Sequence, residues 1–145
     1  MAFCRMDDKE IRLREPVMQP DALIIQDPTL LNQVNVFEGT GESAFILINS
    51  VHSFDELGVG DFVSHLPASH LCTVPATELA IQHVGRPIPN AALLGGFAAI
   101  TGQLKLESVV AAIRKKFPGK VGEGNVAAAA ESYESVMKNK EHIHA

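Results

Sequence analysis

The sequence predicts an α/β fold, a doubly wound and mainly parallel sheet with helices on both faces and a helix-rich C-terminal half. Two observations carry the prediction. Three short apolar runs, ALIIQ (22–26), FILI (45–48) and LCTV (71–74), lack the in–out alternation of a sheet with one wet face, and so read as strands buried on both sides. Helical patterns then fill the chain after Val74.

The elements follow in order. Ala2–Met6 and Ile11–Arg14 flank a polar turn at Asp7, Asp8 and Lys9, which predicts a β-hairpin. Glu15-Pro16 through Pro20-Asp21 is a turn-rich connector ahead of the first buried strand. Asp27 before Pro28 is a helix start, an N-cap acid with Pro at the first helical position, and predicts a short helix from Pro28 to about Gln33. Ser53-Phe54-Asp55-Glu56 has capping-box spacing and predicts a brief helix. Helices are expected at Ala76–Val84, Asn90–Thr101, Ser108–Phe117 and Asn125–Lys138, so that one domain spans 1–138 and a polar tail, 139–145, follows it.

Composition limits the function classes. The 145 residues suit one domain with a real core, and 46% hydrophobic with 20% charged residues is ordinary for a folded protein. No apolar run approaches the roughly 20 residues of a membrane span. A formal charge of −5 disfavours nonspecific binding to nucleic acid or anionic lipid. Cys4 and Cys72 stand far apart, which excludes an iron–sulfur cluster or zinc ribbon needing about four ligands and fits a reduced, cytoplasmic protein.

The chemistry-bearing residues mostly have structural explanations. Asp27 is accounted for as an N-cap, and Glu78 lies in a first helical turn where the helix dipole favours acids. The six histidines show no metal-ligand spacing, although the loop SHLPASH with His65 and His70 is a candidate for touching an anion. Arg12 and Arg14 alternate with Ile11 and Leu13, as on a solvated or interface-facing strand edge. No G-x-S-x-G, H-E-x-x-H or Walker loop is present, so no catalytic or metal residue is assigned. Parallel strands deliver their following loops to one edge, which gathers Gln26-Asp27, Asn49-Ser50 and Pro75–Glu78. The stretch GRPIPNAALLGG (85–96) sets a basic residue and two prolines before a helix built of small residues. Such a helix admits the close approach of another element.

Six segments in order, DDKEIRLREPV (7–17), ALIIQDPTLL (22–31), ILINS (46–50), VPATELA (74–80), GRPIPNAALLGGFAAITG (85–102) and FPGKVGEGNVAAAAESY (117–133), resemble the gamma subunit of 2-oxoacid:ferredoxin oxidoreductases of the pyruvate/ketoisovalerate type. The resemblance implies a subunit of a complex that decarboxylates a 2-oxoacid oxidatively, forms an acyl-CoA and reduces ferredoxin. It implies alpha, beta and delta subunits as partners. Thiamine diphosphate with magnesium would lie mainly on alpha and beta, iron–sulfur clusters on delta, and no cofactor on this chain. Gamma's share would be assembly and coenzyme A use, with Asn49, Thr77 and Arg86 as the residues touching either CoA or a partner subunit. The small-residue helix is then expected to receive a partner. Members of the family begin earlier, with a strand and a glycine-rich G-x-G-G-Q-G-type loop. Relative to them this chain is expected to lack that loop and to leave ALIIQ as an exposed sheet edge. The alternative reading is a stand-alone nucleotide- or CoA-binding module, or a scaffold without redox work.

Overall fold

A computed structural model describes residues 2–12, 15–32 and 36–144. Three parallel strands, β1 (Ala22–Ile25), β2 (Phe45–Asn49) and β3 (Leu71–Val74), lie in the order β1-β2-β3. Ala22 pairs with Phe45 and Ile46 with Leu71. Short 3-10 helices at Pro28–Asn32, Gly60–Val63 and Ala68–His70 lie in the crossovers between strands. After β3 come α1 (Ala76–Val84), α2 (Asn90–Thr101), α3 (Leu106–Lys116) and α4 (Lys120–His144).

β2 is buried on both sides because alternate side chains enter two different cores, while β3 buries Cys72 and Val74 and leaves Leu71 and Thr73 half-buried. Ile46 and Ile48 join Ile25, Phe37, Val59, Val63 and Leu66 on one face. Leu47 joins Cys72, Val74 and the inner residues of α1, α2 and α4 on the other, including Leu79, Leu93 and Ile100. The α/β class therefore holds, with one change in the covering. The long helices all stack on the Leu47 side, while the Ile46–Ile48 side is closed by 3-10 turns and loops rather than by α-helices. Helical periodicity is confined to the sequence beyond β3, so only that part can build a helical layer.

Other expectations are corrected locally. The hairpin does not form among the described residues. Residues 2–12 are exposed and carry only a bend, in which the Lys9 N–H donates to Asp7 Oδ1 at 3.3 Å. An isolated two-stranded ribbon has too little apolar contact to hold itself together. Leu13 and Arg14 lie outside the described residues. The capping box forms as its spacing predicts, the Ser53 N–H donating to Glu56 Oε1 and the Glu56 N–H to Ser53 Oγ, both at 3.2 Å. It closes a turn rather than a helix, because the chain reverses at Gly58 with φ +75°. The expected helix from Pro28 is a 3-10 helix over Pro28–Asn32 whose start Asp27 does cap, Oδ1 accepting the Thr29 N–H at 3.0 Å, and Gln33 lies outside the described residues.

α1 and α2 have the expected limits, each ended by a glycine in the left-handed region, Gly85 (φ +84°) and Gly102 (φ +67°). α4 begins earlier than expected and replaces the polar tail, running to His144. Gly122 and Gly124 weaken its start in isolation by about 1 kcal/mol each. Packing supplies what propensity lacks. An ideal Cβ on Gly124 would stand 3.2 Å from the carbonyl carbon of His83 at the end of α1. At the far end, Lys140 Nζ donates to the Ala99 carbonyl of α2 at 3.0 Å, a cation where the helix dipole wants one.

Candidate functional site

The strand-end edge gathers as topology requires. Asn49 closes β2, is 8% exposed, and holds three elements at once. Its Nδ2 donates to the Gln26 carbonyl after β1 at 3.0 Å and to Thr77 Oγ1 at 2.8 Å. Its Oδ1 accepts the Thr77 N–H at 3.2 Å, which gives α1 a cap from another segment in place of the one Pro75 cannot provide. Two of the three candidate residues are thus brought together, but engaged with each other.

Arg86 is not part of this group. It is exposed and follows the Gly85 cap of α1, whereas Thr77 opens that helix, so roughly 13 Å of helix axis separates them. Its carbonyl accepts the Ile88 N–H at 2.9 Å, which sets the corner between the two prolines. The histidine loop is also structural in part. His70 stacks on Phe45 with ring centroids 3.9 Å apart and its Nδ1 lies 3.1 Å from the Ser43 carbonyl. His65 is exposed.

The glycines of α2 meet this chain's own helix, which corrects the expectation of a partner there. An ideal Cβ on Gly95 would lie 2.8 Å from Cα of Ala129 on α4, and one on Gly96 3.0 Å from Ser132 Oγ and 3.2 Å from Leu47 Cδ2. Ala91, Ala92, Ala98, Ala128 and Ala129 continue the contact, so two small-residue helices pack with their backbones close.

Sequence reasoning missed a cleft of about 580 Å³ beside the edge of β3, lined among others by Phe54, Thr73, Glu131, Glu134 and Lys138. It also missed the His83–Glu131 pair joining α1 to α4. Both depend on contacts between residues distant in the chain, for which neither periodicity nor motif gives a signal.

Burial pushes the Cys72 thiol up to about 11, which keeps it an unreactive apolar filler, while Cys4 is exposed and unaccompanied. No three His, Cys, Asp or Glu side chains converge among the described residues. No helix among them is long and apolar enough to cross a membrane.

Comparison with known proteins places the chain. The family model described as pyruvate ferredoxin/flavodoxin oxidoreductase matches residues 1–135. The pyruvate synthase subunit PorC of Methanocaldococcus jannaschii is 41% identical over 138 residues, 95% of this chain and 72% of the relative. The pyruvate/ketoisovalerate oxidoreductases common subunit gamma of Pyrococcus abyssi is 39% identical over 136 residues, 94% of this chain and 72% of the relative. The crystal structure of pyruvate oxidoreductase subunit PORC from Thermotoga maritima superposes with a TM-score of 0.68 at 32% identity, covering 81% of this chain. This chain spans 64% of that structure's chain. With relatives and structure agreeing over most of its length, the chain belongs to the pyruvate ferredoxin/flavodoxin oxidoreductase family, in its gamma-type (PorC-like) branch.

Proposed function

We propose that the chain serves as the gamma subunit of a thiamine diphosphate-dependent 2-oxoacid:ferredoxin oxidoreductase, contributing assembly rather than the catalytic centre. The observation that carries this reading is its collinear relationship to gamma and PorC subunits. In the assembled enzyme a 2-oxoacid is oxidatively decarboxylated, the acyl group passes to coenzyme A, and ferredoxin takes the electrons. Thiamine diphosphate, magnesium and the iron–sulfur clusters belong to the alpha, beta and delta partners in this reading.

Coenzyme A enters as a ligand of the complex. At the strand-end edge Asn49 and Thr77 have their polar groups committed to each other and to Gln26. Glu78 adds a negative charge beside the α1 N-terminus, which opposes a phosphate there. Arg86, at the other end of α1, is therefore assigned to a protein interface. Co-expression with the alpha, beta and delta subunits tests the reading. The chain is expected to co-purify with them at fixed stoichiometry, and its elution as a free monomer with none of them attached would overturn it.

A further inference from the structure

Four helix termini converge at one end of the helical layer. α1 ends at Val84 beside Gly124 of α4, the corner at 85–89 leads straight into α2, and a short loop joins the end of α3 to the start of α4. The charge there opposes that of the chain as a whole. Arg86, Arg114, Lys115, Lys116 and Lys120 stand at this end, five of the chain's 12 basic residues, within a protein of formal charge −5. The acids within reach are already engaged. Glu123 accepts Arg114 Nε at 2.9 Å, and Glu131 pairs with His83. No ion pair among the described residues engages Arg86, Lys115, Lys116 or Lys120.

Apolar groups are interleaved with these cations and left in water. Ile88 is 51% exposed, Val121 52% and Phe117 38%. Rigidity accompanies the exposure, since Pro87 and Pro89 fix the corner and Gly122 lets the first turn of α4 close against Phe117. Apolar anchors ringed by charge of one sign form a surface suited to a protein partner, the apolar groups supplying contact and the charges orientation and encounter rate.

We infer that this end of the helical layer, centred on Arg86, Ile88, Lys116, Phe117 and Lys120, is a docking surface for an acidic, partly apolar face on another subunit of the oxidoreductase. The inference rests on the gamma-subunit reading and adds which face of the chain carries the contact. Charge complementarity selects an acidic occupant. The remaining chain holds seven basic and fifteen acidic residues once this end, with Glu123 and Glu131, is set aside from the 12 and 17. A second copy is the other occupant that this charge balance allows, and sedimentation of the isolated chain as a dimer that the patch variant abolishes, with binding to the other subunits unchanged, would overturn the subunit partner in its favour. An anionic membrane would repel most of the molecule.

The test measures affinity between this chain and the co-expressed alpha, beta and delta subunits at several salt concentrations. One variant carries Arg86→Glu, Lys116→Glu and Lys120→Glu. A control with the same change in net charge carries Lys9→Glu in the N-terminal segment, Lys105→Glu before the start of α3 and Lys138→Glu in the last third of α4. All six positions are exposed, and circular dichroism confirms that both variants fold. The patch variant is expected to bind at least about tenfold more weakly, with the control within about twofold of wild type and wild-type affinity falling as salt rises. Wild-type affinity in the patch variant, or equal weakening in the control, overturns the inference while leaving the subunit reading intact. Failure of the wild-type chain to bind the other subunits at all removes both. Vesicles of phosphatidylglycerol and phosphatidylcholine should not retain the chain. Retention lost in the patch variant, with assembly unchanged, would overturn the protein partner in favour of a lipid surface.

Discussion

Asn49 illustrates what one residue does at a junction. Replacing it with Ala removes three hydrogen bonds and leaves the Thr77 N–H without its acceptor near a buried core. A loss of about 1–3 kcal/mol is expected. Urea unfolding of the isolated chain measures it, and an unchanged midpoint would show that the clamp contributes nothing. Arg86→Ala should leave the same midpoint alone, since its side chain makes no ion pair among the described residues. The acid side of the stability profile follows from three exposed carboxylates. The Ser53 N–H, ahead of His52, holds Glu56 below its ordinary 4.5, Arg114 does the same for Glu123, and the Thr29 hydroxyl holds Asp27 below 3.8. Each folded pKa is lower than the unfolded one. Their contribution is thus complete above the unfolded values and is lost as pH falls through the folded ones. Glu56→Gln should flatten part of that acid decline, and an identical pH profile in the variant would count against the capping box as a stabilising device. The sequence brought the loops of Asn49 and Thr77 to one edge and offered both residues as contacts to CoA or a partner subunit. Their engagement with each other rests on a contact across 28 positions, which no local pattern encodes.

Between elements, the crossing of α2 on α4 decides whether the helical layer forms. Gly95→Ala pushes a methyl into the Ala129 backbone, which cannot rotate aside as a side chain would, and about 1–3 kcal/mol of destabilisation is expected in the isolated chain. Loss only within the complex would instead place the close neighbour on another subunit. Ser132 is the counterpart on α4. It is fully buried and its Oγ has no hydrogen-bond partner among the described residues, so Ser132→Ala should keep or raise the melting temperature. A marked fall would reveal a hidden partner for the hydroxyl. Helix limits were legible wherever a backbone rule sets them. Gly85 and Gly102 cap α1 and α2, and Pro89 stands just before Asn90. The start of α4 was not legible, because Gly122 and Gly124 read locally as breakers and only the approach of Phe117 and His83 gives them a reason to be helical.

At the scale of the molecule, a three-stranded parallel sheet lies between a layer of loops and 3-10 turns and a layer of four helices, α3 packing through α2 and α4. The apolar strands made that class readable, since a run without alternation needs cover on both sides. The nature of the cover on the Ile46–Ile48 face was not readable, because turns and short helices share the same Gly-, Pro- and Ser-rich sequence. Within the described residues β1 and β3 each keep one unpaired edge, and Ile24 on β1 is 45% exposed, as expected for an uncovered strand. The proposed role as a subunit that completes an assembly rests on the family relationship and on the basic, apolar helix end. Its most direct test is 2-oxoacid- and CoA-dependent ferredoxin reduction by the alpha, beta and delta subunits, measured with and without this chain and by this chain alone. The account predicts no turnover by the chain alone and turnover that rises with its addition until the stoichiometry is met. Full activity in its absence, or turnover by the isolated chain, would contradict it.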